Sequence, residues 1–382
     1  MQSLSERTAG FTDSVIRRMT RVSMQYDAVN LSQGFPDFEP PKELLDRLAQ
    51  VAYEDYHQYS ITWGSQNFRE ALAAKQTYFM GRRIDPNTEI VTTCGSTEAM
   101  MAAMMTVTNP GDKVIIFSPF YENYSADTIL SGAEPIYVPL VPPDFHFDAN
   151  VLEDAFRQHP KAIILCNPSN PCGKVFTREE LEIIASLAEK YDTYVITDEV
   201  YEHICFAEEG HASVLAHPQL RERAIAVSSF GKTYHMTGWK VGYCVAPAAI
   251  SAELRKVHQY LTFAVNTPAQ LALADMLRSE PGHYRELPDF YRARRDRFVA
   301  ALSKSRLEIL PCEGTYFLLA DYSAISDLDD VSFCQRLTKE VGVAAIPLSV
   351  FCADPFPHKL IRLCFAKQES TLLAAAARLN AL

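Results

Sequence analysis

A lysine at the end of an apolar run, followed by small residues, is a candidate nucleophile. Lys232 holds such a place in Ser228-Ser229-Phe230-Gly231-Lys232-Thr233-Tyr234-His235-Met236-Thr237-Gly238-Trp239-Lys240-Val241-Gly242. Lifted on a turn after Ala224-Ile225-Ala226-Val227, its ammonium would be partly desolvated, which lowers the pKa and frees the neutral amine for attack. The reaction this favours is Schiff base formation with an aldehyde. A lysine alone is more often a solvated surface residue, so its neighbours have to decide.

Four further loops carry matching chemistry. Gly95-Ser96-Thr97 stands before a helix expected to begin near Glu98. There, backbone N–H groups and two hydroxyls would face an anion such as phosphate, although Ser and Thr are also ordinary N-caps. Ser229 and Lys240 add a hydroxyl and a cation. Asp198 follows Tyr194-Val195-Ile196-Thr197, a strand expected to be buried on both faces, and a buried carboxylate needs a cation or a strong donor. A protonated ring nitrogen would serve. Tyr201, three residues on, and Asn170, in the turn Asn167-Pro168-Ser169-Asn170-Pro171, could both reach a phenolic oxygen. Tyr121, just after Pro119-Phe120, is placed to stack on a ring or to serve as a core aromatic. Arg362 in Leu360-Ile361-Arg362-Leu363-Cys364-Phe365 alternates with apolar neighbours, and its forked guanidinium wants either a protein carboxylate or a substrate carboxylate.

Together these loops describe a ligand with a phosphate, a protonated ring nitrogen, a phenolic oxygen and an aldehyde. Pyridoxal 5'-phosphate fits that description, and it acts as an electron sink. A nicotinamide-binding site is disfavoured, because no G-x-G-x-x-G follows an early strand.

The elements that must position these loops are legible from period and composition. Short β-branched runs (89–93, 113–117, 161–165, 193–197, 224–228 and 241–246) alternate with helical stretches such as Thr177 to Lys190. That pattern predicts an α/β fold with a mostly parallel sheet sandwiched by helices. Ligands sit at the carboxyl ends of such strands, where the polar loops fall. After Glu280-Pro281-Gly282 a long charged helix carries Leu287, Phe290, Tyr291, Phe298 and Leu302 on one side. Candidate strands at 308–310, 315–320, 343–346 and 359–365 and helices near 331–341 and 369–381 follow, predicting a smaller α+β domain. The expected division is an N-terminal segment over 1–40 joining the small domain, a large cofactor-binding domain over 41–282, and a small C-terminal domain over 283–382.

With 382 residues, 48% hydrophobic and 22% charged, the chain has the balance of a globular enzyme. Its net charge of −11 argues against nucleic acid as a partner. The nine cysteines are scattered through apolar runs and share no metal-ligand spacing with the ten histidines. No metal is expected, and the thiols read as reduced. The first residues lack an apolar h-region, and Ala99 to Val107 is too short to span a bilayer. A cytoplasmic protein without membrane contact is the expectation.

The motifs Asn167-Pro168-Ser169-Asn170-Pro171, Asp198-Glu199-Val200-Tyr201, Ser229 to Gly242 and Leu360-Ile361-Arg362-Leu363, in that order, resemble those of the class I and II pyridoxal-phosphate aminotransferases of fold type I. The resemblance spans essentially the whole chain and points to the branch holding kynurenine and glutamine aminotransferases. It implies that Lys232 binds the cofactor covalently and shuttles a proton, while Asp198 holds the pyridine nitrogen. Tyr201 and Asn170 would bind the phenolic oxygen and Tyr121 would stack on the ring. Ser96, Thr97, Ser229 and Lys240 would hold the phosphate, with Tyr59 from the partner subunit, and Arg362, Asn170 and the Gly34 backbone would bind the substrate carboxylate. A homodimer with shared sites follows. Two departures are Pro171-Cys172-Gly173 in place of Pro-Thr-Gly, and Lys240 where most of the family has arginine, a point charge for a fork. The implied reaction moves the amino group of methionine, or of an aromatic or other large uncharged amino acid, to a 2-oxo acid. Phe35, Tyr59, Trp63 and a partner's Phe263 are expected near the side-chain pocket. The alternative on the same cofactor is a carbon–sulfur β-lyase.

Overall fold

The computed structural model describes residues 4–11 and 13–382. Its larger sheet has seven strands: β2 (Ile90–Thr93), β3 (Lys113–Ser118), β4 (Glu134–Pro139), β5 (Ala162–Cys166), β6 (Tyr194–Asp198), β7 (Ala224–Ser229) and β8 (Gly242–Val245), in the order β2-β8-β7-β6-β5-β3-β4. Only β8 runs antiparallel to its neighbours. Alternate residues of the central strands face opposite apolar layers, as the pleat requires. Ile116, Ile164, Ile196 and Ile225 pack with Met100 and Leu254. Ile115, Ile163, Val195 and Ala226 pack with Leu152, Phe156, Leu181 and Ile184. Both faces are therefore covered, which explains strands that read as unbroken apolar runs.

All six strands expected from the sequence in this region are present. The seventh, β4, escaped because Pro135 and Pro139 lie within it, and proline is confined to sheet edges. The helix expected near Glu98 begins at Gly95 instead, so Ser96 and Thr97 form its first turn. The helix Arg178–Lys190 starts from a reciprocal cap in which Thr177 accepts from the Glu180 N–H and Glu180 accepts from the Thr177 N–H.

The smaller sheet pairs β9 (Glu308–Ile309), β10 (Phe317–Asp321), β12 (Ile346–Pro347) and β13 (Leu360–Cys364) in the order β12-β13-β10-β9, all antiparallel. The run expected as one strand over 343–346 divides between two sheets. Its first part, β11 (Val343–Ala344), pairs in parallel with β1 (Val29–Asn30), so the N-terminal segment is stitched to the C-terminal third of the chain. On the helix Gly282–Ala301, Leu287, Tyr291 and Phe298 are buried and Phe290 packs against the same core. Among the described residues, no helix is long and apolar enough to cross a membrane.

Candidate active site

The register of the large sheet gathers the polar loops at one edge. Gly242, the first residue of antiparallel β8, pairs with Thr93 on one side and Ser229 on the other, so the ends of β2 and β7 flank it at about 4.8 Å each. A Cβ at Gly242 would lie 2.5 Å from the Gly95 carbonyl carbon and 2.8 Å from the Ser96 nitrogen. Only glycine lets the strand and the helix start approach this closely. Farther along the edge, Cys166 pairs with Asp198 and Asp198 with Val227.

These ends open into a cavity of about 250 Å³. Of the residues expected to form the site, it is lined by Gly34, Ser96, Thr97, Tyr121, Asn170, Asp198, Tyr201, Ser229, Lys232, Lys240 and Arg362. Ser96 and Thr97 sit in the first turn of the helix Gly95–Val107, where unsatisfied N–H groups and the helix dipole favour an anion. Lys240 adopts a left-handed backbone (φ 55°) and its Nζ donates to the Thr97 hydroxyl at 3.4 Å. A non-glycine residue held in that conformation is strained, and such strain clusters at functional sites.

Lys232 lies in the short helix Phe230–Thr233, its Nζ 3.3 Å from the Gly34 carbonyl and over the rings of Tyr201 (5.6 Å) and Tyr316 (5.5 Å). Burial pulls its ammonium down to about 8. Asp198 accepts at Oδ2 from the Tyr124 hydroxyl (2.8 Å) and at Oδ1 from the Val200 N–H (3.1 Å). Burial pushes its carboxyl up against these two bonds and the Lys232 charge. No ion pair among the described residues reaches it, so a buried carboxylate faces the cavity without a cation bonded to it.

Arg362 is 2% exposed. Its Nη1 donates to Asn170 Oδ1 at 2.6 Å, its Nη2 to the Ser32 carbonyl at 3.4 Å, and its Cζ lies 4.0 Å from the centre of the Phe317 ring and 4.7 Å from that of Phe351. Burial lowers its pKa from the usual guanidinium value, and a buried charge of this kind is costly without an anion beside it. With Asn170 Oδ1 occupied, the amide Nδ2 remains as a donor.

Of the expected aromatics, Phe35 and Trp63 do not line the cavity, and Tyr59 and Phe263 are the two expected from a partner subunit. Trp63 lies under the Arg255 guanidinium, Phe35 is exposed beneath Lys367, and Tyr59, 79% exposed, meets Phe263 edge-on at 5.0 Å. Phe35, Tyr59 and Phe263 are exposed, whereas Trp63 is half-buried against the apolar layer that holds Met100 and Leu254. In their place the cavity takes Ile16, from the helix Val15–Gln25, and Phe317. Tyr124 was also missed: it lies in the first turn of the helix Asn123–Leu130, where an aromatic reads as an ordinary core residue. Tyr316, whose hydroxyl donates to the Gly34 carbonyl at 2.7 Å, had no signal at all.

The donor set suits a phosphorylated pyridine aldehyde: a helix terminus with hydroxyls and a cation, a buried carboxylate, and an amine of lowered pKa within one cavity. The family described as aminotransferase class I and II matches residues 26–379. The chain is 58% identical over 369 residues to methionine aminotransferase of Escherichia coli, covering 97% of this chain and 96% of that one. It is 37% identical over 388 residues to a probable N-succinyldiaminopimelate aminotransferase of Mycobacterium tuberculosis, covering 98% of each. It superposes with a TM-score of 0.98, at 56% identity and over 100% of both chains, on the crystal structure of an Escherichia coli protein in which a methionine aminotransferase function was identified. The chain belongs to the aminotransferase class I and II family.

Proposed function

We propose that this protein transfers the amino group of methionine, and of other large uncharged amino acids, to a 2-oxo acid with pyridoxal 5'-phosphate as cofactor. The observation that carries the reading is the convergence of Lys232, Asp198 and Arg362 on one cavity, supported by the methionine activity named for the relative at 58% identity. Bound in the cavity, the cofactor supplies an electron sink for the charge that develops at the substrate Cα.

The chain's own residues do the rest. Ser96, Thr97, Ser229 and Lys240 hold the phosphate at the helix terminus, Asp198 keeps the ring nitrogen protonated, and Tyr121 stacks on the ring. Tyr201 and the free Asn170 amide donate to the phenolic oxygen. Arg362 grips the substrate carboxylate, with Asn170 and the Gly34 backbone beside it. With its pKa near 8, about a tenth of Lys232 Nζ is unprotonated at pH 7, and the neutral amine is the form that would move the proton at the substrate Cα. Ile16 and Phe317 offer an apolar wall to a thioether. Among the described residues, no second arginine lines the cavity for a side-chain carboxylate.

The proposal includes a homodimer. Tyr53, Tyr56, Tyr59, Ile61, Tyr260, Leu261 and Phe263 are all exposed, an apolar patch of the kind that marks an interface. Tyr59 and Phe263 touch within one chain, so a partner would bring both together, Tyr59 toward the phosphate. The division at residues near 40 and 282 and a cytoplasmic location belong to the same reading. The pairing of β1 with β11 and nine free cysteines support them.

The test is the absorption spectrum of the purified protein with L-methionine and no acceptor. A yellow band that bleaches and returns on adding a 2-oxo acid is expected. A protein that stays colourless after incubation with pyridoxal phosphate would overturn the cofactor, and a yellow one unmoved by methionine would overturn the substrate.

A further inference from the structure

Asp127 stands outside every role assigned above. It lies on the helix Asn123–Leu130, one turn beyond Tyr124, and positions three apart share a helix face. Tyr124 uses that face to reach Asp198. Asp127 is 4% exposed, and its Oδ2 has no hydrogen-bond partner. The elements packed on this helix carry Glu98 (helix Gly95–Val107), Lys113 (β3), Glu134 and Tyr137 (β4), and Glu6 and Arg7 (turn Glu6–Thr8). Glu98 is engaged by the Cys94 N–H and His258, and Tyr137 by Ser125. Among the described residues, none forms an ion pair or hydrogen bond with the Asp127 side chain.

An uncompensated buried carboxyl is costly, and here it has a carboxyl neighbour. Burial and then the Asp198 charge push Asp127 up to about 7. A cation bound to Asp198 removes the smaller part of that push, the part due to the Asp198 charge, while burial remains.

Resting on the cofactor reading above, we propose that Asp127 is a positioning residue for the reaction: a second carboxyl behind Asp198 that ionises when a cationic ring nitrogen docks there. The proton leaves Asp127 for solvent, and the new negative charge strengthens the hold of Asp198 on the cation. By linkage the effect is reciprocal: raising the pH tightens cofactor binding, and cofactor binding expels a proton.

The experiment is calorimetric titration of the apoenzyme with pyridoxal phosphate at pH about 7, in buffers of different ionisation enthalpy, which counts protons released on binding. Lys232 contributes equally in wild type and Asp127→Asn, so the difference isolates Asp127. The wild type is expected to release a sizeable fraction of one proton more than Asp127→Asn. That excess should vanish when the ligand is the analogue with carbon in place of the ring nitrogen. Asp127→Ala repeats the measurement should the Asn variant fail to fold. Equal counts in wild type and variant, with normal binding, overturn this inference alone. An apoenzyme that takes up no pyridoxal phosphate overturns the cofactor reading and this one with it.

Discussion

Arg362 donates to Asn170 across a gap of 192 residues, Nη1 to Oδ1 at 2.6 Å, and so joins the strand β13 to the loop after β5. One guanidinium thereby splints the Asn170 side chain while lining the cavity itself.

Arg362→Lys removes the fork and leaves Asn170 Oδ1 unpaired, a loss of about 2–3 kcal/mol. The KM for the amino acid should rise about 30- to 150-fold, with the cofactor absorption retained. Steady-state kinetics beside a spectrum of the same sample checks both. A variant with unchanged KM would remove Arg362 from the carboxylate site.

The lowered Lys232 pKa predicts a pH dependence for reconstitution. Below about 8 the reactive neutral amine grows roughly tenfold per pH unit, and above it the gain stops. Mixing apoenzyme with pyridoxal phosphate and following the visible band between pH 6 and 9 should give a rate that climbs and levels near 8. A climb that continues past 10 would place the lysine at its ordinary value. Lys232→Ala should cut turnover by about 10²–10⁴-fold or more.

Gly242→Ala forces a Cβ to 2.5 Å from backbone, and overpacking of this kind costs about 1–3 kcal/mol. Its melting temperature and its pyridoxal phosphate affinity should fall together, because the displaced atoms are those of the helix start at Ser96. Gly238→Ala, with nothing within 4 Å of its Cβ, is the neutral control.

Behind the lysine loop, Lys75 and Glu202 form an ion pair with almost no exposure, tied to Tyr243, Gln76 and Ser228. Burial would raise the Glu202 carboxyl, but Lys75, His203 and Tyr243 hold it down at about 2. A depressed carboxyl stabilises the fold above its unfolded pKa of about 4.3 and loses that contribution as pH falls toward 2. Lys75→Met should cost about 3–5 kcal/mol in unfolding at neutral pH by stranding the carboxylate. Adding Glu202→Gln should restore part of it, and a double variant no better than the single would refute the pairing.

The parts of this site that were legible in the sequence stand where chain and chemistry coincide. Asp198 and Ser229 end apolar strands and Lys232 follows one, so period and residue type named them together. Lys75 gave no such signal: in Ala73-Ala74-Lys75-Gln76 it reads as a solvated helix lysine, and only Glu202, 127 residues on, makes it a core residue. Ile16 and Tyr316 are equally silent, because an apolar or aromatic side chain near a site looks like one in any core. The split of 343–346 between β11 and β12 was hidden for the same reason: the partner strands lie at residues 29–30 and 360–364.

Gly242 sits between Thr93 and Ser229, and this arrangement sets an order of assembly. β7 and β8 are neighbours in sequence and can pair early, whereas β2 joins β8 only after a loop of about 150 residues has closed, and long-range pairing is slow. The anion-binding cup has its second wall only once that closure is made. Recovery of cofactor binding during refolding should therefore trail the recovery of helical signal, and the yellow colour would time the final strand of the large sheet.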